Sequence, residues 1–290
     1  MKFEEQRIAD ICKWLEENHP KKDCDFYKIW LSIDILRVLI GNDWTNQSIF
    51  PNIHPTSSKA VQDAIKFLRT KEISHHFQER VSKLAIRLYN IQSVLGFEKV
   101  VNEILFGDIY GGYAEIEAGD FFMRRNVSFE FVIPTGKKGK DFDIRINTTP
   151  SVNCEVKHKI ESTEPGKDVL ESTLSLANKQ VPHNEPALFF IKIPEEWVCH
   201  KDFRNIVERV KGTFCSRNRH VVGFILHWEE KFFKTEGIFF WKYTYEENNF
   251  CSINTGDISK QLKVQVDPMD IFVQMLSKYV KKCQHYPSNV

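Results

Sequence analysis

Apolar positions recur at helical spacing through the first part of the chain. Ile8, Ile11, Cys12 and Leu15 form one stripe, and Phe26, Ile29, Trp30, Ile33, Leu36 and Ile40 form a second. Gly41 and Asn42 are a natural stop. After a loop marked by Pro51 and Pro55, Ser57 or Ser58 can cap a third helix carrying Val61, Ala64, Ile65 and Leu68. Residues 1–75 are thus expected to be a helical N-terminal region. A longer helix should follow, with Phe77, Val81, Leu84, Leu88, Ile91 and Leu95 on one face. Gly96 interrupts it, and residues 97–106 resume with Val100, Val101, Ile104 and Leu105 turned inward.

The period then changes. Gly111 and Gly112 are expected to open an extended stretch over 113–123, and 127–133 reads as a strand because Phe129, Phe131 and Val132 suit a pleated surface. Two more short strands fall within 140–159, joined by a turn at 147–151 where Thr148, Thr149 and Pro150 interrupt regular structure. Residues 168–180 predict a helix with Leu170, Leu174, Ala177 and Val181 inward, and 187–193 a buried strand. Asp202 can cap a helix bearing Phe203, Ile206, Val207 and Val210. Strands over 221–228 and 237–245 and a closing helix with Ile271, Phe272, Met275, Leu276 and Tyr279 complete an α/β domain expected over 76–290.

Composition narrows the class. With 290 residues, 42% hydrophobic and 27% charged, the chain is an ordinary globular one, long enough for one large core or two modest ones. A net charge of +1 supplies no global basic field, so any nucleic-acid contact must come from local patches. The 7 cysteines are odd in number and scattered, which suits reduced thiols in a cytoplasm better than a disulfide framework. The charged opening residues do not read as a signal peptide, and the best apolar run, 29–40, is broken by Asp34 and Arg37, so no membrane partner is expected. Cys199, His200, Cys215 and His220 lack the tight spacing of a zinc knuckle. Neither a Gly-x-Ser-x-Gly elbow nor a dinucleotide fingerprint occurs.

The chemistry concentrates in 140–159, Lys-Asp-Phe-Asp-Ile-Arg-Ile, a turn, then Val-Asn-Cys-Glu-Val-Lys-His-Lys. Alternate residues of a strand share a face, so Asp141 and Asp143 point one way, and Glu155 and Lys157 share a face of the second strand. Pairing the strands can gather carboxylates and an ammonium around one point. Clustered carboxylates repel unless a hard cation joins them, and Mg²⁺ takes one or two carboxylates with waters and phosphate oxygens. The turn before it, Thr135-Gly-Lys-Lys-Gly-Lys140, sets three lysines beside Asp141 but is no P-loop. Pro134 and Asp141 occupy its key positions, and a strand follows.

An Asp followed by Glu-x-Lys on paired strands resembles the PD-(D/E)xK superfamily of restriction-endonuclease-like nucleases. The resemblance implies a central mixed sheet flanked by helices, entered in the order helix, three strands, helix, strand, an order that residues 77–193 match. It assigns Asp143 and Glu155 to Mg²⁺ or Mn²⁺ and Lys157 to the attacking water. Asp141 fits nearly as well as Asp143, and Lys140 or Phe142 stands where the family has proline. Glu103, or Glu98, on the preceding helix matches the position from which some members lend a further carboxylate. The implied activity is hydrolysis of phosphodiester bonds, with DNA as substrate; the residues admit RNA as well, and a homodimer is compatible with them. Arg124, Arg125, Lys137, Lys138, Lys140 and Lys159 are the candidate phosphate contacts. The rival expectations are a nucleic-acid-binding or regulatory protein that keeps the fold without turnover, and a metal-dependent phosphoesterase acting on a small nucleotide.

Overall fold

A computed structural model describes residues 2–55, 58–69, 74–137, 140–159, 164–229, 236–242, 268–281 and 283. The chain divides into two compact units, one of Met1–Ser93, Val100–Ile116 and Val266–Val290, the other of Val94–Lys99 and Glu117–Gln265. The boundary expected near residue 75 falls inside the first unit.

That first unit is helical: α1 (Glu5–Asn18), α2 (Cys24–Leu39), α3 (Asn42–Ile49), α4 (Lys59–Arg69), α5 (Ser74–Ile91), most of α6 (Phe97–Phe106), the start of α7 (Ile109–Met123) and, after the other unit, the closing helix α11 (Pro268–Ser277). Asp23 caps α2 by accepting the N–H of Phe26 at 2.9 Å. Helix α2 packs against α1, α3, α5 and α11, so Tyr27, Leu31, Ile35 and Leu36 are fully buried. Gly41 does end the second apolar stripe, but at φ +129° it turns the backbone directly into α3 instead of a loop. The expectation of reduced thiols is corrected here. Cys24 and Cys283 form a disulfide, Cα–Cα 5.4 Å, across 259 residues of sequence, while Cys12, Cys154, Cys199 and Cys215 are free. Among the described residues no helix is long and apolar enough to cross a membrane.

The second unit is built on a mixed six-stranded sheet in the order β1 (Phe129–Phe131), β2 (Ile144–Ile146), β3 (Val152–His158), β4 (Ala187–Lys192), β5 (Val221–Glu229), β6 (Glu236–Lys242). Strands β1, β2 and β3 run antiparallel in sequence, β3, β4 and β5 are parallel, and β6 is antiparallel to β5. Parallel neighbours need crossovers, supplied by α8 (Lys167–Asn178) between β3 and β4, and by α9 (Glu195–Cys199) and α10 (Phe203–Arg217) between β4 and β5. Leu170, Leu174, Val207, Val210 and Phe214 of α8 and α10 close over Phe189, Ile191, Phe224 and Leu226 in one core. Residues 243–245 of the strand expected over 237–245 lie outside the described residues.

One element departs from the expectation. Residues 113–123 belong to helix α7, not to an extended stretch. Every residue over 112–122 is buried, so no polar face remains to give the sequence a helical stripe. Its glycines serve packing: a Cβ on Gly119 would lie 2.6 Å from the Phe131 ring. Gly96 is more constrained still, at φ +81° with the Phe131 carbonyl oxygen 2.2 Å from where its Cβ would stand. That close approach seats the start of α6 beside β1.

Candidate functional site

The hairpin β2–β3 is where the sequence placed it, and its register pairs Ile144 with Cys154 and Ile146 with Val152. Register with β4 pairs Glu155 with Phe189 and Lys157 with Ile191, so these four side chains share the face covered by α8 and α10. Val156 and His158 therefore point to the opposite face with Phe190 and Lys192. Immediately before β2, the Asp143 N–H donates to the Cys154 carbonyl at 3.2 Å. The Asp143 carboxylate then takes over as the ladder's acceptor, with Oδ2 receiving the Val156 N–H at 2.8 Å. A side chain standing in for strand backbone at this point fixes the carboxylate beside β3.

Four charged groups converge there. Lys157 Nζ donates to Glu155 Oε1 at 2.5 Å, and Lys99 Nζ, from the first turn of α6, donates to Asp143 Oδ1 at 3.1 Å. The Glu155 side chain is 3% exposed and that of Lys99 8%, against 31% for Lys157 and 19% for Asp143. The cluster is thus buried at its floor and open on the Lys157 side. Glu155 Oε2 is buried and has no hydrogen-bond partner. Burial first, and then the neighbouring Asp143 charge, push the Glu155 carboxyl up to about 8, although Lys157 and Lys99 pull the other way. A carboxylate held in this condition is under-coordinated, with a vacant acceptor beside a second carboxylate. A hard divalent cation satisfies such a pair, and Asp143 with Glu155 is the one-or-two-carboxylate donor set that Mg²⁺ takes alongside water and phosphate oxygens. Among the described residues no group of three or more His, Cys, Asp or Glu could hold a metal ion, so the fit rests on these two carboxylates.

The remaining candidates sort by their surroundings. Asp141 is tied into the preceding turn, its Oδ1 accepting both the N–H and the hydroxyl of Thr135 at 2.7 Å, which holds its carboxyl below the usual range. It is therefore tied into the turn, whereas Asp143 is the aspartate held against β3. Glu103 belongs to the helical unit, where its carboxylate lies over Gly107. Arg124 and Arg125 are turned into the protein rather than toward solvent. Arg124 pairs at 2.8 Å with the fully buried Asp120, and Arg125 is 2% exposed with its guanidinium 3.7 Å from the Phe121 ring. Both follow α7 directly, and with that helix buried they are drawn inside with it. Lys137 and Lys140 are exposed, Lys159 is partly buried with its ammonium pulled down by desolvation, and Lys138 lies outside the described residues.

Lys99 is the member of the cluster that sequence reasoning missed. It sits next to Val100 on an amphipathic helix, where a lysine ordinarily runs its stem along the apolar edge and leaves its charge in water. Nothing within α6 signals that its partner lies just before β2, 44 residues further on. No family model, curated protein or solved structure matches the chain.

Proposed function

We propose that this protein is a metal-dependent nuclease with a restriction-endonuclease-like core, hydrolysing phosphodiester bonds in DNA, and that Asp143, Glu155 and Lys157 carry the reaction. The observation behind the proposal is the buried Glu155 carboxylate with an unpartnered Oε2 beside Asp143 and Lys157. Leaving a buried carboxyl oxygen without a partner costs free energy that a purely structural role does not explain. Asp143 and Glu155 would hold Mg²⁺ or Mn²⁺, which supplies Lewis acidity toward a phosphate oxygen and a water acidic enough to attack. Lys157, the most exposed of the four, is placed to orient that water or to offset charge on the phosphorane-like transition state. Asp143 is held by the Val156 N–H and so is oriented before substrate arrives. Lys137, Lys140 and Lys159 are the phosphate-contacting candidates that remain.

One observation favours the rival, a nucleic-acid-binding protein without turnover: each carboxylate already faces a lysine. Cleavage of plasmid and of labelled DNA and RNA oligonucleotides, with Mg²⁺, with Mn²⁺ and with chelator, separates the two. Chelator-sensitive cleavage that falls by about 10³-fold in Glu155→Ala and in Lys157→Ala supports the nuclease. Cleavage unchanged in both variants overturns the site. Binding of DNA with no cleavage under any metal gives the rival.

A further inference from the structure

The charge balance of the cluster has a consequence for how metal enters it. Asp143 and Glu155 bring two negative charges, and Lys99 and Lys157 bring two positive ones at 3.1 and 2.5 Å. With both carboxylates ionised, as a bound cation requires, these charges already cancel without it. Lys157 can swing toward solvent, since a third of its side chain is exposed, but Lys99 is held below the surface at 8% exposure. Asp143 has little freedom to turn away from it, because Oδ2 is committed to the Val156 backbone and leaves Oδ1 to face the ammonium. A divalent ion that takes Asp143 must therefore bind against a nearby buried positive charge, in surroundings where screening is weak.

We infer that Lys99 is the built-in counter-ion of this metal site: its ammonium stands at the Asp143 carboxylate in the metal-free protein, weakens divalent-cation binding there, and couples it to the arrival of a phosphodiester. This deepens the nuclease reading and rests on it. With metal bound, both lysines retained and both carboxylates ionised, the site carries a net charge of about +2, which one phosphodiester reduces to +1. Metal and nucleic acid then favour each other's binding, and Lys99 is the positioning residue through which they do so. The arrangement keeps the site from holding a metal ion tightly when no phosphate is present. Metal binding is expected to be weak in the free protein and tighter on the nucleic-acid complex.

The test is Mn²⁺ binding to the full chain, followed by the electron paramagnetic resonance signal of free Mn²⁺ and checked by calorimetry. Non-cleavable phosphorothioate oligonucleotide is present or absent. Lys99→Met removes the charge and keeps the stem, and Lys99→Arg restores the charge. Lys99→Met should bind Mn²⁺ between about 5- and 100-fold more tightly than wild type without oligonucleotide, within the usual range for coupled sites. It should also show less of the tightening that the oligonucleotide brings, because the metal-bound site falls from about +2 to +1, and Lys99→Arg should behave as wild type. A purely structural lysine would not raise metal affinity on removal. Should Lys99→Met fail to fold, Lys99→Gln and the wild-type coupling between Mn²⁺ and oligonucleotide carry the same test. If Mn²⁺ binds wild type and is lost in Glu155→Ala, but Lys99→Met binds it no more tightly, the inference about Lys99 fails while the metal site stands. If no variant binds Mn²⁺ with or without oligonucleotide, the metal-site reading itself fails.

Discussion

On one face of β3 the buried Glu155 carboxylate stands near a second acid, Asp143, while on the other face each acid is set against a base. There Lys192 is paired with Glu117 of α7, whose side chain is fully buried, and Asp120 with Arg124, of which 0% and 2% of the side chains are exposed. His158, next to Lys192 in the register, is pushed down to about 4 by burial first and by the Lys192 charge second, and so stays neutral at ordinary pH. Both faces bury charge. What distinguishes them is exposure: the paired side chains on the α7 face are at most 15% exposed, whereas Lys157 beside Glu155 is 31% exposed. The α7 face is a stabilising arrangement in which neighbouring groups answer one another. The Glu155 face brings two acids close enough for Asp143 to raise the proton affinity of Glu155, which is how a candidate binding site differs from a simple buried ion pair.

That comparison is most sharply broken at Arg124. Arg124→Ala removes the base paired at 2.8 Å with the fully buried Asp120, and should destabilise the protein by about 3–5 kcal/mol in denaturant unfolding. The same variant, if it folds, should keep the wild-type salt dependence of DNA binding. A fall in that dependence would return Arg124 to the interface.

A smaller effect is expected at Glu155. Its carboxyl is protonated up to about pH 8 in the metal-free folded chain but ionises in the ordinary carboxylate range when unfolded. Between those two limits the folded state holds more protons, so stability must fall as pH rises across the window. The slope for one proton is at most about 1.4 kcal/mol per pH unit. Glu155→Gln should flatten it, and thermal unfolding with chelator at pH 5 to 9 reads the difference. A slope that survives the substitution would assign the proton elsewhere.

The smallest effects belong to the lysines that remain as phosphate-contact candidates. Lys140→Ala and Lys159→Ala should leave folding unchanged and each lower the slope of log affinity against log salt by about 0.9 on duplex DNA. Fluorescence anisotropy over a range of salt concentrations measures it. Unchanged slopes in both would move the nucleic-acid path away from this side of the cluster.

Much of the architecture was legible because it is written in local periods. The stripes over α1, α2, α4, α5, α6 and α8, the β2–β3 hairpin and the buried strand β4 each repeat within a few residues, which is the range over which side chains select helix or strand. Alternation alone set Glu155 and Lys157 on one face. What tertiary structure decided is what no local pattern contains. Helix α7 shows no stripe because both its faces are buried, and for that reason Arg124 and Arg125 turned from surface cations into internal ones. The choice of Asp143 over Asp141 came from Thr135 claiming the one and Val156 the other. The Cys24–Cys283 pairing and the Lys99–Asp143 contact join residues 259 and 44 positions apart. A chain specifies its local conformations through neighbours, whereas the partner of a buried charge is chosen by packing, which brings together groups whose separation in sequence carries no signal.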